Sequence, residues 1–204
     1  MTMGKLDSKL PGFYAVLDCN DEGLARALMG PGGARILQVR IKPASAAVIW
    51  SAAVMARRIC DEFGALLIVN DRIDIARAAG ADGVHLGQSD VPLAQARKLA
   101  GDLVIGISTH TLDQVAQAVT GGADYVGFGP IFATSTKQNP EPEQGLVGLC
   151  AAVRAAGTTP VVAIGGVTTA HVSELYRAGA AAVCAIAAVN RASDVARAAR
   201  AMRP

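Results

Sequence analysis

The chain alternates between two kinds of segment that differ in how their apolar residues are spaced. Short apolar runs rich in β-branched residues predict strands. These runs lie at residues 13–17, 36–41, 66–69, 83–86, 104–107, 125–128, 161–164 and 182–186. Longer alanine-rich segments with helical spacing predict helices. The helical segments lie at residues 22–29, 46–63, 73–79, 92–99, 112–120, 146–156, 169–178 and 193–202.

Strand and helix segments follow one another eight times along the chain. Alternation of this kind predicts a parallel sheet joined by right-handed crossovers, and eight units favour closure into a barrel over an open sheet. We therefore expect an α/β fold consisting of a single (β/α)8 TIM barrel. It would occupy residues 1–204 as one domain, with an N-terminal extension at 1–11 and an active-site loop at 130–144.

A short Gly-Ala phrase precedes three of the predicted strands, beginning at Gly80, Gly122 and Gly179. Each glycine falls where a predicted helix ends and a strand follows. Glycine is the preferred residue at such helix ends because it adopts left-handed backbone conformations readily. We interpret these glycines as helix caps without a catalytic role.

The composition is compatible with this fold. The chain has 204 residues, close to the lower limit of roughly 200 for such barrels. Hydrophobic residues make up 51%, which suffices for a large core without disulfide or metal staples. The cysteines have no C-x-x-C spacing, so we interpret them as core thiols of a cytoplasmic protein. They are Cys19, Cys60, Cys150 and Cys184.

The charge and hydropathy of the chain restrict its partners. A formal net charge of +2 is too balanced to favour nucleic acid or a membrane surface. The first ten residues lack the apolar centre of a signal peptide, and no apolar stretch reaches the roughly 18 residues of a membrane span. Small molecules are therefore the expected partners. The sequence leaves open whether the protein forms a homo-oligomer.

Polar residues alternate with apolar ones where the second predicted strand ends, in the run QVRIK. Because side chains alternate between the faces of a strand, Val39 and Ile41 would pack outward against helices. Gln38, Arg40 and Lys42 would then point into the barrel mouth. Two cations and an amide converging at the ligand-binding end of a barrel suit an anion such as pyrophosphate. The alternative is a strand end that runs into solvent.

Two aspartates follow neighbouring predicted strands. Asp71 comes after the third strand and Asp90 after the fourth, and each alone reads as a helix cap. Adjacent strands are about 5 Å apart, however, so both carboxylates would lie at the same rim. One or two carboxylates, completed by waters and phosphate oxygens, are typical of a Mg2+ site.

The segment Pro130 to Gln144 has neither helical nor strand periodicity and contains three prolines. Long loops inside compact domains are often active-site lids. This loop follows the sixth strand and therefore lies on the face where such barrels carry out their chemistry. Its hydroxyls and ammonium group suit closure over a phosphorylated ligand. They belong to Thr134, Ser135, Thr136 and Lys137.

Residues at the ends of the later strands could hold a phosphate. Gly165 and Gly166 end the seventh strand, and Ile186 and Ala187 end the eighth. Many (β/α)8 barrels bind phosphate through backbone N–H groups of these two loops, although a tight strand-to-helix turn would also explain the glycines. Ser108 ends the fifth strand with its hydroxyl inward or caps the next helix.

The three histidines show no catalytic spacing. His85 falls on the inward face of the fourth strand, where a lone histidine is usually a hydrogen-bonded core residue. His110 and His171 lie near predicted helix starts and look ordinary.

Taken together, these motifs resemble the thiamine phosphate synthase family over residues 13–190. The matching runs are QVRIK (38–42), VND (69–71), GVHLGQSD (83–90), GISTHT (106–111), DYVGFGPIFATSTK (124–137) and AIGGV (163–167). Several motifs in the right order are more specific than any one of them. The resemblance implies a transferase that condenses hydroxymethylpyrimidine pyrophosphate with hydroxyethylthiazole phosphate, releasing pyrophosphate and giving thiamine phosphate.

The resemblance also implies residue roles. The positions that match pyrimidine pyrophosphate binding are Gln38, Arg40, Lys42, Asn70, Ser108 and Lys137. The catalytic set among them is Arg40, Lys42, Ser108 and Lys137. Asp71 and Asp90 match the Mg2+ ligands. The positions that match thiazole phosphate binding are Thr134, Thr136, Gly166, Ile186 and Ala187.

Three positions depart from the family pattern. Ile41 stands where a glutamate is common, Ser89 replaces the usual glutamate before the metal aspartate, and Ala187 stands where a serine is often found. If the family contact at position 187 is a backbone N–H, alanine serves equally well. If the contact uses the hydroxyl, phosphate affinity falls.

The implied chemistry needs no side-chain nucleophile, because the aminopyrimidine can stabilise a carbocation as pyrophosphate departs. The enzyme instead neutralises charge on the leaving group with Mg2+ and cationic side chains, and loop closure excludes water. Two other interpretations remain: a thiazole tautomerase-like isomerase that needs no metal, and a catalytically silent phosphate-binding barrel. The aspartate pair and the set of cations argue against the isomerase.

Overall fold

The structure is a computed structural model that describes residues 6–134 and 141–204. Within these residues, eight parallel strands pair in chain order, and the eighth pairs with the first to close a barrel. The strands are β1 (Gly12–Leu17), β2 (Ile36–Val39), β3 (Leu66–Asn70), β4 (Gly83–Leu86), β5 (Val104–Thr109), β6 (Tyr125–Phe128), β7 (Val161–Ile164) and β8 (Ala182–Ala185). The predicted (β/α)8 barrel is confirmed.

The helices pack around the strands. They are α1 (Glu22–Met29), α2 (Ala46–Phe63), α3 (Ile73–Ala78), α4 (Leu93–Ala100), α5 (Leu112–Thr120), α6 (Gly145–Ala156), α7 (Val172–Arg177), α8 (Ala187–Asn190) and α9 (Val195–Arg200), with a 3-10 turn at Thr169–His171. Among the described helices, four begin at a side chain that accepts a first-turn N–H, which satisfies a donor that has no partner within the helix. These caps are Asp21, Ser45, Thr111 and Asp194. None of the described helices is both long and apolar enough to cross a membrane.

Buried apolar side chains form two layers of core. One layer lies between strands and helices, where Val39 and Ala52 are both buried. The other fills the barrel interior with inward-facing strand residues such as Ile68 and Val104, and Leu6 joins them from the segment before β1. Full burial of one leucine or isoleucine contributes roughly 1.5–3 kcal/mol. The barrel interior is therefore a stabilising core.

The aspartate of the Gly-Ala-Asp phrase before β4 links a strand to a helix at the N-terminal end of the barrel. Asp82 Oδ2 accepts a hydrogen bond from the backbone N–H of Leu67 at 3.0 Å and one from Arg57 Nη1 at 2.6 Å. The carboxylate thus joins the start of the neighbouring strand to helix α2. Its side chain is 16% exposed and that of Arg57 18%, so the ion pair is largely shielded from water.

The same contacts recur one repeat later. Asp124 Oδ2 accepts from the backbone N–H of Ile105 at 2.7 Å and from Arg97 Nη2 at 2.6 Å. We call the contacts of Asp82 and Asp124 the aspartate clamps. The third phrase has Ala181 at this position, which has no carboxylate and keeps only the backbone hydrogen bond from its N–H to Val161 O of β7.

The three glycines of these phrases end helices, as predicted. Gly80, Gly122 and Gly179 have positive φ angles of 65°, 82° and 97°. Each lies one residue beyond the helix cap, and this conformation turns the chain from the helix into the next strand.

Several element boundaries differ from the predicted ones. Strand β2 ends at Val39 rather than at residue 41, since its neighbour β1 pairs with it only as far as Leu17. Strand β5 runs on to Thr109 because β6 provides partners as far as Phe128. The segment 169–178 divides into a 3-10 turn and α7.

The eighth strand is also shorter than predicted, and a short helix follows it. Strand β8 ends at Ala185, Ile186 takes the helix-cap position, and Ala187 is the first residue of α8. The sequence prediction missed this helix because four residues are too few to show helical periodicity.

The cysteine prediction is right for two residues and wrong for one. Cys60 and Cys184 are buried free thiols, and Cys150 is partly buried. Burial raises the pKa of both Cys60 and Cys184 to about 12. Cys19 is exposed, because it lies in the connection between β1 and α1 rather than in the core.

Candidate active site

A cavity of about 280 Å³ opens among the carboxyl ends of the strands. Every strand contributes to its lining, from Tyr14 on β1 to Cys184 on β8. This is the face on which (β/α)8 enzymes place their chemistry. The cavity is the natural position for a small ligand.

The structure gathers most of the predicted site residues around this cavity. Those that line it are Gln38, Arg40, Asn70, Ser108, Thr134, Gly166, Ile186 and Ala187. Lys42, Asp71 and Asp90 do not line it and stand just beyond, after the ends of β2, β3 and β4. Thr136 and Lys137 lie outside the described residues.

The polar residues that end β2 are arranged differently from the predicted alternation. Gln38 is within the strand and buried, as expected. Arg40 follows the strand, is still held to β1 by a 2.9 Å hydrogen bond from its backbone N–H to Leu17 O, and lines the cavity. Lys42 lies farther out and pairs through Nζ with Asp71 Oδ2 at 2.6 Å. Arg40 therefore lies in the cavity wall and Lys42 outside it.

Asp71 adopts a backbone conformation that presents its carboxylate at the rim. Its φ is +61°, rare for a residue other than glycine, and its N–H donates to His85 O at 2.9 Å. The cap position of α3 belongs to Arg72, and no side chain caps that helix. The alternative interpretation of Asp71 as a helix cap is wrong, so its carboxylate is available for another role.

Asp90 is not a helix cap either, since Pro92 occupies the cap position of α4. Its Oδ2 accepts a 2.7 Å hydrogen bond from the backbone N–H of Gly87. Partial burial and the neighbouring carboxyl of Asp71 raise the pKa of Asp90, although Lys42 and the Gly87 hydrogen bond oppose this. A cation between Asp71 and Asp90 would relieve their repulsion, so the donor chemistry fits Mg2+.

A Mg2+ site formed by Asp71 and Asp90 would have few protein ligands. Within residues 6–134 and 141–204, no group of three or more histidine, cysteine, aspartate or glutamate side chains is arranged to hold a metal. Two carboxylates can nevertheless serve Mg2+, which usually keeps several waters and binds substrate phosphates. The metal assignment stays a prediction.

Two buried tyrosines at the cavity floor were not anticipated from the sequence. Tyr14 and Tyr125 have their hydroxyl oxygens 2.7 Å apart, and Gln38 Nε2 donates to Tyr14 at 2.9 Å. His85 Nδ1 is 3.0 Å from the Tyr125 hydroxyl, and His85 Nε2 is 2.8 Å from Ser108 Oγ. The expectation that His85 is a hydrogen-bonded core residue is confirmed. The alternation of strand residues places both tyrosines inward, and this pattern could have revealed them.

Space for Tyr125 comes from a glycine on the adjacent strand. A Cβ at Gly106 would overlap the Tyr125 ring.

The hydroxyl of Ser108, two residues further along β5, faces the cavity rather than capping a helix. The cap of α5 is Thr111, whose side chain accepts from Gln114 N at 3.2 Å.

The turn after β7 brings backbone close to the cavity. Gly165 and Gly166 have φ angles of +93° and +66°. A Cβ at Gly166 would lie only 2.6 Å from the carbonyl oxygen of Phe132, in the loop after β6. Both glycines line the cavity together with Thr134. Glycine is therefore required at position 166 for the two loops to pack.

The other two histidines differ in their relation to the cavity. His110 lines it and donates through Nδ1 to Gly129 O. The interpretation of His110 as an ordinary residue near a helix start therefore missed its position in the cavity wall. His171 belongs to a capping box with Thr168 and stacks on Phe132, with ring centroids 3.9 Å apart.

The fold and this cavity define a class: a (β/α)8 barrel with a cavity at the carboxyl ends of its strands, bordered by cations and a pair of carboxylates. The family model described as thiamine monophosphate synthase matches residues 14–189. The chain belongs to the thiamine monophosphate synthase family.

Individual relatives agree with this membership. The chain is 46% identical over 172 residues to the thiamine-phosphate synthase of Chloroflexus aurantiacus, covering 84% of this chain and 79% of that one. It is also 46% identical to the enzyme of the same name from Anaeromyxobacter dehalogenans, over 92% of this chain and 84% of that one. Neither the isomerase nor the silent-barrel interpretation gains support from these relatives.

Solved structures give the same result for the fold. A thiamine phosphate pyrophosphorylase from Pyrococcus furiosus is 35% identical and superposes with a TM-score of 0.86, covering 97% of this chain and 95% of that one. A 3-hexulose-6-phosphate synthase structure is 21% identical with a TM-score of 0.68, over 94% of this chain and 97% of that one. The second likeness concerns the barrel alone.

Proposed function

We propose that this protein is a thiamine phosphate synthase, which condenses hydroxymethylpyrimidine pyrophosphate with hydroxyethylthiazole phosphate. The products are thiamine phosphate and pyrophosphate. Family membership over residues 14–189 carries this proposal. The cavity supports it, because Gln38, Arg40, Asn70 and Ser108, which match the pyrimidine-binding positions, line one space although they come from four parts of the chain.

The reaction is a substitution at the pyrimidine methylene carbon. The bond from that carbon to the pyrophosphate oxygen breaks, and its electron pair leaves with pyrophosphate. The thiazole nitrogen supplies the electron pair of the new carbon–nitrogen bond. The aminopyrimidine ring can carry positive charge while the leaving group departs, so the protein needs to stabilise charge rather than provide a nucleophile.

Asp71 and Asp90 would hold Mg2+ at the rim of the cavity. When bound, the ion supplies positive charge that neutralises the pyrophosphate leaving group. The two carboxyls are neighbours, and the Asp71 carboxyl helps to raise the pKa of Asp90. This proximity supports the assignment. Lys42 already offsets part of their charge through its ion pair with Asp71.

Arg40 and Lys42 would bind the pyrophosphate as fixed cations. Arg40 is the one that lines the cavity, where lower polarity strengthens its attraction for an anion. Lys42 is half exposed and could exchange Asp71 for a phosphate oxygen without leaving the rim. Lys137 is expected to add a third cation by resemblance alone.

The phosphate of the thiazole substrate would lie between the loops after β6, β7 and β8. Thr134, Gly166, Ile186 and Ala187 line the cavity there, and Thr136 is expected among them by resemblance. The structure makes Ala187 the first residue of α8, where its N–H is free of the helix ladder. A backbone contact of this kind needs no serine hydroxyl, so alanine at this position is compatible with phosphate binding.

We further infer a cytoplasmic protein with phosphorylated small molecules as its partners, and with no role for nucleic acid or membrane. A homo-oligomer remains compatible with the chain. The balanced charge of +2 supports the absence of a role for nucleic acid or a membrane surface.

The decisive experiment combines the purified protein with both phosphorylated substrates and Mg2+. Thiamine phosphate should form and should stop forming when EDTA is added. Conversion of a thiazole isomer without Mg2+ would instead indicate a tautomerase, and binding without any turnover would indicate a silent barrel.

A further inference from the structure

A line of side-chain hydrogen bonds crosses the barrel beneath the cavity. It runs from Gln38 on β2 through Tyr14 and Tyr125 to His85 and ends at Ser108 on β5, with successive distances of 2.9, 2.7, 3.0 and 2.8 Å. All five residues line the cavity. The two ends of this line, Gln38 and Ser108, match substrate-binding positions of the family. The family resemblance implies no binding or catalytic role for the three residues between them.

The two tyrosines of the line are almost completely buried, which keeps their hydroxyls protonated. Tyr14 and Tyr125 are 2% and 1% exposed. Burial raises the pKa of both phenols well above the usual value of 10.0. Each hydroxyl therefore keeps one proton to donate.

The direction of the line follows from where these protons can go. Gln38 Nε2 donates to the Tyr14 oxygen, and Tyr125 is the other partner that the described residues give the Tyr14 hydroxyl. The Tyr14 proton must therefore point to Tyr125, since a buried hydroxyl proton without an acceptor is costly. Tyr125 in turn donates to His85 Nδ1.

The tautomer of His85 follows in the same way. An imidazole that accepts at Nδ1 carries its proton on Nε2 when it is neutral. His85 Nε2–H then donates to Ser108 Oγ. The serine oxygen is already an acceptor, so its own proton is directed into the cavity that it lines.

We propose that Tyr14, Tyr125 and His85 are positioning residues that orient the Ser108 hydroxyl as a hydrogen-bond donor toward an acceptor atom of the pyrimidine substrate. This proposal rests on the proposed function. The opposite direction would make Ser108 donate to His85 and offer only its lone pairs to the ligand. The hydrogen bond that the buried Gln38 amide donates to Tyr14, across the barrel from Ser108, determines the direction of the line.

The first test uses kinetics with matched tyrosine substitutions. Tyr125→Phe keeps the ring beside Gly106 but removes the donor to His85, so KM for hydroxymethylpyrimidine pyrophosphate should rise about tenfold, the scale of one hydrogen bond. Ser108→Ala should have a similar effect. The double variant should lie within about twofold of Ser108→Ala alone, because both changes remove the same hydrogen bond.

Tyr176→Phe is the control for loss of a tyrosine hydroxyl that donates a hydrogen bond elsewhere in the protein. Tyr176 donates to Gly12 O at 2.8 Å and contacts Met202 O at 3.1 Å, outside the cavity lining. This variant should lower the melting temperature and leave KM unchanged. Independent, multiplicative effects of Tyr125→Phe and Ser108→Ala would overturn the proposal, as would an unchanged KM in Tyr125→Phe.

A second measurement needs no turnover. Nitrogen-15 NMR of the histidine rings should show His85 protonated on Nε2 in the substrate-free protein. The chain has three histidines, so His85→Gln identifies the resonance. Tyr125→Phe should shift this resonance while Tyr176→Phe leaves it in place. A proton on Nδ1 in the wild-type protein would overturn the proposal, whereas absence of thiamine phosphate synthesis would count against the proposed function only.

Discussion

At the N-terminal end of the barrel, Asp82 and Asp124 each face an arginine and a backbone N–H, whereas at the C-terminal end Asp71 and Asp90 lie beside each other. The clamped carboxylates have all the partners that a stable ion pair needs. The carboxylates at the rim share one half-exposed lysine, and their proximity helps to raise the pKa of Asp90.

In our proposal, the same residue type serves stability at one end and ligand binding at the other. A carboxylate that joins a strand to a helix stabilises the fold but has no capacity left for a ligand. A carboxylate held near another carries unfavourable repulsion that a bound cation can remove. Variants at the two ends should therefore separate activity from stability.

The largest effect is expected from Asp90→Asn. Loss of a Mg2+ ligand should lower kcat about 100-fold or more, the scale of one preorganised stabiliser. Because the folded-state pKa of Asp90 is raised, its favourable contribution to stability is present at low pH and lost as the pH rises through that pKa. The variant should therefore be as stable as the wild type, or more so, at pH 7. Steady-state pyrophosphate release and thermal unfolding measure both quantities, and a large fall in melting temperature would contradict this account.

A pair of glycine substitutions compares the loops of the two ends. Gly166→Ala and Gly122→Ala each place a Cβ at positive φ, and this backbone strain alone costs about 1 kcal/mol in stability. Only at Gly166 would the Cβ meet the backbone at Phe132, since nothing lies within 4 Å at Gly122. KM for the thiazole phosphate should rise roughly tenfold or more in Gly166→Ala only, as initial rates would reveal. Equal kinetics for the two variants would rule out a role for the Gly166 turn in binding.

Asp124→Ala should lower stability and leave activity nearly unchanged, the opposite pattern to Asp90→Asn. It removes the carboxylate that accepts from the Ile105 N–H and from Arg97, which keeps its hydrogen bonds to Leu103 O and Gly122 O. We expect a loss of roughly 2–3 kcal/mol in the free energy of unfolding, less than for a fully buried pair because the Arg97 side chain is 33% exposed. Urea denaturation measures this loss, while kcat at 25 °C should stay within about twofold. Asp124→Asn, which retains an acceptor, should lose less stability.

Two lysine substitutions should give the smallest effects. Lys42→Met removes a cation from the rim and should raise KM for the pyrimidine pyrophosphate about tenfold, with less than about 1 kcal/mol change in stability because the ion pair is exposed. Lys9→Met is the matched control, since Lys9 does not line the cavity and donates to Gly64 O in the turn before β3. Initial-rate kinetics should show no change for it. A KM in Lys42→Met equal to that of the control would remove Lys42 from the site.

The barrel could be predicted from the sequence because each strand and most helices are long enough to show a periodic pattern. Strand ends were less predictable, since the length of β2 depends on where β1 stops pairing. Helix α8 has four residues and no usable periodicity.

The site was predictable as far as its residues follow strand ends. Asp71 and Asp90 read as caps until the positions of Arg72 and Pro92 at the helix starts were known. The roles of Tyr14 and Tyr125 depend on contacts between strands distant in sequence, which local patterns do not contain.

The dependence of turnover on Mg2+ concentration tests the central contrast most directly. Rates would be measured for the wild type, Asp90→Asn and Asp124→Asn over the same range of Mg2+. The account predicts that half-maximal activity requires at least about tenfold more Mg2+ in Asp90→Asn, the scale of losing one ligand interaction, and the wild-type concentration in Asp124→Asn. An identical Mg2+ requirement in the wild type and Asp90→Asn would contradict it.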